Sequence, residues 1–174
     1  MDPILQQLQN EIASSLEGLD SAQTQLGPSA PHEKWSIQQI VQHLCLTYAF
    51  TEPAFEARLA KGTPTRAKPT LQQRTGQYFL TTLGIMPSGR KAPGQVTPQT
   101  SPPVCGSDLT HLAAHHLSRM DALFSEAERL FGSGRCITHR ILGPLSIHQW
   151  RRFHLVHGRH HIRQIRAIRE AHHL

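Results

Sequence analysis

Cysteine is scarce in this chain. Cys45, Cys105 and Cys136 are an odd number with no C-x-x-C spacing, which argues against a disulfide framework and against a thiolate zinc site. Long apolar runs are missing as well: none approaches the roughly 18 residues that a membrane span requires. The opening MDPILQQLQNEI carries an acid at position 2 where a secretory signal would place basic residues ahead of an apolar block. A cytoplasmic protein that does not enter a membrane is the expectation. Aromatic residues make up 6% of the chain and are not interleaved with the basic ones, so single-stranded nucleic acid would find no stacking platform. No Ser-His-Asp order, glycine-rich phosphate loop or paired-acid motif occurs, which leaves nucleophilic hydrolase and nucleotide-binding readings without support. Strand signals and internal repeats are absent too.

What is present is helical. With 174 residues the chain suits one domain, 1–174, able to bury about 70% of its unfolded surface around a single core. Four segments carry a helical period, each with a start signal. The first has Asp2 as N-cap, Pro3 at the first helical position and a stripe of Leu5, Leu8, Ile12, Leu16 and Leu19, and should end near Gly27-Pro28. The second opens at WSIQQI, where Ser36 and Gln39 have capping-box spacing and Trp35 can staple onto Ile40, and should fade by Gly62. The third starts near Ser107 or Asp108, repeats Leu109, Leu112, His116, Met120, Leu123, Ala127 and Leu130, and stops at Gly132. The fourth opens at LSIHQW with a second capping box, Ser146 and Gln149, and runs almost to the C-terminus. Residues 63–106 hold seven of the twelve prolines and read as a long crossover with one short helix at LQQRTGQYFLTTL. Such a connection can return the chain to the end it left, making the second and third helices parallel neighbours. The expected fold class is all-α, a four-helix bundle with one long connection.

Histidines crowd the last helix, in FHLVHGRHHIRQI. At about 100° per residue, Arg151, Arg152, Arg159, Arg163, Arg166 and Arg169 share an arc of about 120°, a solvated charged face. His157 and His161 lie one turn apart near the centre of the opposite, apolar face, with His154 as a nearby third and His160 on the flank. An i, i+4 pair has the spacing for two imidazoles to reach one metal ion, as in zinc-binding helices; it serves equally well for two rings bonded to water or backbone. His111 and His115 have the same spacing on the third helix but flank its stripe, and read as solvated, while His116 could line a cavity. His43, beside the stripe of the second helix, reads alone as a partly buried, hydrogen-bonded histidine.

WSIQQIVQHL and ILGPLSIHQWRRFHLVHGRHHIRQI together resemble the DinB-like superfamily of metal-binding bundles, over essentially the whole chain. The resemblance implies an up-down-down-up bundle, often a homodimer, in which His43, His157 and His161 hold a divalent metal, zinc first and nickel second. Three neutral imidazoles would leave a Lewis-acid site with an open position. There a water could ionise near neutral pH for hydrolysis, or a low-molecular-weight thiol could bind as thiolate for transfer to an electrophile. Gln164 could orient a ligand or simply make a polar core contact, and His154 could transfer protons near the metal. The expected function is therefore a metal-dependent transferase or hydrolase of a small-molecule substrate. The competing reading is a metal-clamped binding module whose arginine face, carrying part of the net charge of +6, meets nucleic acid or an acidic partner; a bundle without catalysis is a third. Metal affinity is expected to fall below the ordinary imidazole pKa of about 6.5.

Overall fold

The computed structural model describes residues 1–29, 34–86 and 91–174. Its main elements are helices α1 (Pro3–Leu16), α2 (Ile37–Ala60), α3 (Leu71–Gln77) and α4 (Gly106–Phe131), strands β1 (Arg135–His139) and β2 (Gly143–Ser146), and helix α5 (Ile147–Ala171). The four expected segments are α1, α2, α4 and α5. Both expected capping boxes form: Ser36 Oγ accepts from the Gln39 amide and Gln39 Oε1 from the Ser36 amide, and Ser146 and Gln149 repeat the exchange. Asp2 caps α1 by accepting from the Ile4 amide at 2.8 Å.

Helix α1 stops at Leu16, well short of Gly27-Pro28, because Gly18 takes a positive φ of 75° that turns the chain out of the helix. Leu19 is still buried, beyond that turn. On α4 the buried stripe is Leu109, Ala113, Leu117, Met120, Phe124 and Ala127, whereas Leu112 and Leu130 are exposed. The helix packs against α1 and α2 together, so its inward line bisects the two and passes to one side of the expected stripe. Strands, absent from the expectation, form a small antiparallel hairpin between α4 and α5. Its turn is held by Gly143 at φ 71° and by His139 Nδ1, which accepts the amides of Ile141 and Leu142 at 3.1 Å. Neither strand alternates buried and exposed residues, so no period of two marks it in the sequence.

Contacts along the helices fix their directions. Asp2 pairs with Arg151, Glu11 with Arg159 and the Ser15 carbonyl with Arg169, so α1 and α5 run parallel. The Asp2 amide meets Asp121 while the Gly106 amide meets the Leu19 carbonyl, so α4 runs against α1. Gln38 bonds the main chain at Pro102 and Val104, Glu52 meets His116 and Phe55 meets Phe124, so α2 and α4 are parallel. The order is up-down-down-up, with the crossover between the two parallel helices. Among the described residues no helix is long and apolar enough to cross a membrane.

The arginine side of α5 is not the solvated face its wheel implies. Arg151 is buried between Asp2 and Glu128, Arg152 donates to the Thr81 carbonyl, Arg159 forks onto Glu11 and Arg169 caps the end of α1. The acids and carbonyls of α1 cover much of that side; Arg163 and Arg166 remain exposed.

Gly158 marks where α1 comes closest. A Cβ there would lie 2.3 Å from Leu8 Cδ1, and Leu8 is fully buried. Glycine inside a helix normally costs about 1 kcal/mol relative to alanine, but here Gly158→Ala is expected to destabilise by about 1–3 kcal/mol through overpacking. Adding Leu8→Ala should cost less in that background than in the natural chain; thermal unfolding of the two single variants and the double variant decides it.

His154 belongs to the core, and His139 packs against its edge. Burial pushes His154 down to about 3, helped by His139, and His139 itself to about 4. Both folded-state values lie below the unfolded 6.5, so between these limits the unfolded chain binds more protons and stability falls as pH drops, by about 1.4 kcal/mol per pH unit for each ring. His154→Phe is expected to flatten the fall in urea midpoint between pH 7 and pH 5; an unchanged slope would remove His154 from this account.

Candidate metal centre

Helix α2 carries His43 in its second turn, and α5, running the opposite way, presents His157 and His161 one turn apart. Their Nε2 atoms converge: His157 Nε2 lies 3.2 Å from that of His43 and 3.1 Å from that of His161, and the three lie within 4.8 Å of one another. The residues are 4%, 9% and 7% exposed respectively for His43, His157 and His161, so this is an interior arrangement.

Hydrogen bonds at the far nitrogens decide which atoms face inward. His43 Nδ1 meets the Val96 carbonyl at 2.7 Å; a carbonyl only accepts, so the hydrogen is on Nδ1 and Nε2 turns a lone pair to the centre. His161 Nδ1 meets Gln164 Oε1 at 2.9 Å, and Gln164 Nε2 meets His160 Nε2 at 3.2 Å. The amide thus accepts from His161 and donates to His160, and the Nε2 of His161 also turns a lone pair inward. A single hydrogen on His157 Nε2 could satisfy only one of these two. His157 Nδ1 is buried without a partner among the described residues.

Desolvation lowers the pKa of all three rings, of His157 most strongly, with His161 and His43 adding to it, and of His161 to about 4. They stay neutral at ordinary pH, the state in which imidazole ligates metal. The walls are aromatic. The Trp35 indole lies 4.8 Å from the His43 ring and 6.3 Å from that of His161, and Phe153 stacks on His157 at 5.6 Å.

Of the residues singled out in the sequence, His43, His157 and His161 are brought together and Gln164 is tied to His161. His154 is not in the cluster: it is fully buried among Tyr48, Phe124, Trp150 and Phe153. His111 and His115 are exposed, as expected of a solvated pair. His116 lines no part of the centre; it bonds Glu52 at 2.9 Å, whose other oxygen takes Arg119 at 2.8 Å. Cys45 is held by burial at about 12, too high for a ready thiolate. The Val96 carbonyl was not foreseen. It comes from a short turn, Gly94–Val96, in the proline-rich crossover, and main-chain atoms leave no residue-type signal.

The solved structure of YfiT from Bacillus subtilis, described as a probable metal-dependent hydrolase with an unusual four-helix bundle topology, is similar to this one: 13% identity, 98% of this chain and 84% of that chain covered, TM-score 0.57. At that identity the likeness is one of fold, a four-helix bundle. No curated protein matches the sequence. A family model covers residues 5–167, nearly all of it, and the chain belongs to the family described as a protein of unknown function, DUF1569.

Proposed function

We propose that the protein is a metal-dependent enzyme in which His43, His157 and His161 hold one divalent cation, zinc first and nickel second, and which hydrolyses a small molecule or transfers a low-molecular-weight thiol. The convergence of inward lone pairs carries this reading. Tetrahedral zinc with nitrogens at 2.0–2.1 Å needs neighbouring ligands about 3.3 Å apart, close to the separations of His157 from its two neighbours. Without a cation, buried lone pairs would face one another at hydrogen-bond distance with too few hydrogens between them, which is costly. The similar fold of a protein described as a probable metal-dependent hydrolase supports the same reading.

A cation in this place supplies Lewis acidity, polarising a bound substrate or lowering the pKa of a bound water or thiol. The chain's own groups do the rest. Val96 and Gln164 fix the ring tautomers and raise ligand basicity, and Trp35 and Phe153 restrict water. A proton-transfer role for His154 has less support: it has no hydrogen-bond partner among the described residues and burial holds it neutral. The nucleic-acid reading is weakened because only Arg163 and Arg166 of its six arginines stand exposed.

Tag-free protein reconstituted with zinc and dialysed is expected to hold one ion per chain by elemental analysis. His43→Ala, His157→Ala and His161→Ala should each abolish stoichiometric binding, and Gln164→Leu should weaken it by about tenfold. Full metal content in all three alanine variants would sink the proposal.

The direction of the pKa shifts changes the pH expectation drawn from the sequence. Protons compete for a ligand nitrogen only near its own pKa, and burial moves His161 to about 4 and the other two rings downward. Metal content should hold at pH 6 and fall only as the pH moves further below the ordinary imidazole range, towards about 4 for His161. Loss between pH 7 and pH 6 would contradict it.

A further inference from the structure

Acidic residues are distributed unevenly along this chain. None lies between Lys34 and Thr51, between Glu56 and Asp108, or between Glu128 and Glu170. These stretches supply all the parts of the centre described above: Trp35 and His43 from the first, the Val96 carbonyl from the second, and Phe153, His157, His160, His161 and Gln164 from the third. Of the acids that bound them, Glu52 pairs with His116 and Arg119, Glu56 with Arg119 and Glu128 with Arg151; Asp108 and Glu170 are exposed, and Glu33 lies outside the described residues. The charged neighbours that act on the three imidazoles are other imidazoles, with no carboxylate among them.

The donor set is three neutral nitrogens, so a divalent cation held there keeps its whole charge. Its surroundings are largely withdrawn from water, where an uncompensated charge is costly. Many metal sites meet that cost with an aspartate or glutamate; this one has none among the described residues. Gln164 makes the point at one position. Its amide sits against His161, where a glutamate of the same shape would form the familiar carboxylate–histidine pair, and the chain carries the neutral form. The same amide donates to His160 Nε2, which leaves the hydrogen of the half-buried His160 on Nδ1 as a further donor, and Arg163 stands exposed on the next turn.

We infer that the centre takes its substrate as a small organic anion, a carboxylate, phosphate ester or thiolate, whose charge offsets that of the cation, and that the neutrality of Gln164 is what admits it. The inference rests on the metal reading above and narrows it from any small molecule to an anionic one.

Cobalt(II)-loaded protein tests this by visible absorption, with benzoate and its uncharged analogue benzamide as probes. Benzoate is expected to shift the cobalt bands with an affinity at least about tenfold that of benzamide, and Gln164→Glu, placing a negative charge beside the ligands, should erase that preference. Gln164→Met, which removes the amide without adding charge, should keep it. Protein that takes up no cobalt would overturn the metal reading itself. Cobalt-loaded protein that binds both probes equally, or whose preference survives Gln164→Glu, would overturn this inference alone. Single-stranded DNA that binds without cobalt and displaces benzoate would assign the acid-poor surface to a polyanion and overturn it as well.

Discussion

The hydrogen bond from His43 to the Val96 carbonyl settles more of this molecule than its single contact implies. It decides which nitrogen of the ring looks into the bundle, and it ties the proline-rich crossover to α2 at the level of the three histidines. The matching bond from His161 to Gln164 does the same from α5. With both outer nitrogens engaged, the two inner lone pairs have no freedom to turn away, and His157 meets them between. A helix pair alone would bring the rings near one another; the outer bonds convert nearness into a directed donor set.

Charge pairing holds the helices that carry this set. Helix α1 contributes nothing to the three-histidine cluster, yet Asp2, Glu11 and its C-terminal carbonyls take Arg151, Arg159 and Arg169 from the back of α5, and Leu8 fills the space that Gly158 leaves. The face of α5 opposite His157 and His161 is thereby clamped along its length. Exposed ion pairs contribute little singly, but Arg151 is buried, and its ties to Asp2 and Glu128 join three helices at one end of the bundle.

Much of this was legible in the sequence because it depends on local rules. Capping boxes at Ser36 and Ser146 set where α2 and α5 begin, a period of 3.6 put His157 and His161 on the apolar face, and the proline-rich stretch announced the crossover. The partnership of His43 with them came from family resemblance, since spacing within one helix says nothing about another. What escaped has a common cause: it depends on neighbours distant in the chain. Which line of α4 is buried follows from packing between two helices at once. The fate of the arginines follows from the acids of α1, and Gly158 is explained by Leu8. The hairpin strands carry no alternating pattern to declare them, and Gly18 ended α1 by backbone conformation where the sequence had offered Gly27-Pro28 as a stop.

The crossover has one more implication. Val96 stands more than fifty positions from His43, in a segment that contributes little to the helical core. Substitutions around it can shift or withdraw that carbonyl, and so alter the electron-donating strength of His43, while the four long helices keep their packing. Descendants of such a scaffold are thereby free to change the surroundings of His43 by rewriting a loop, leaving the three histidines themselves untouched.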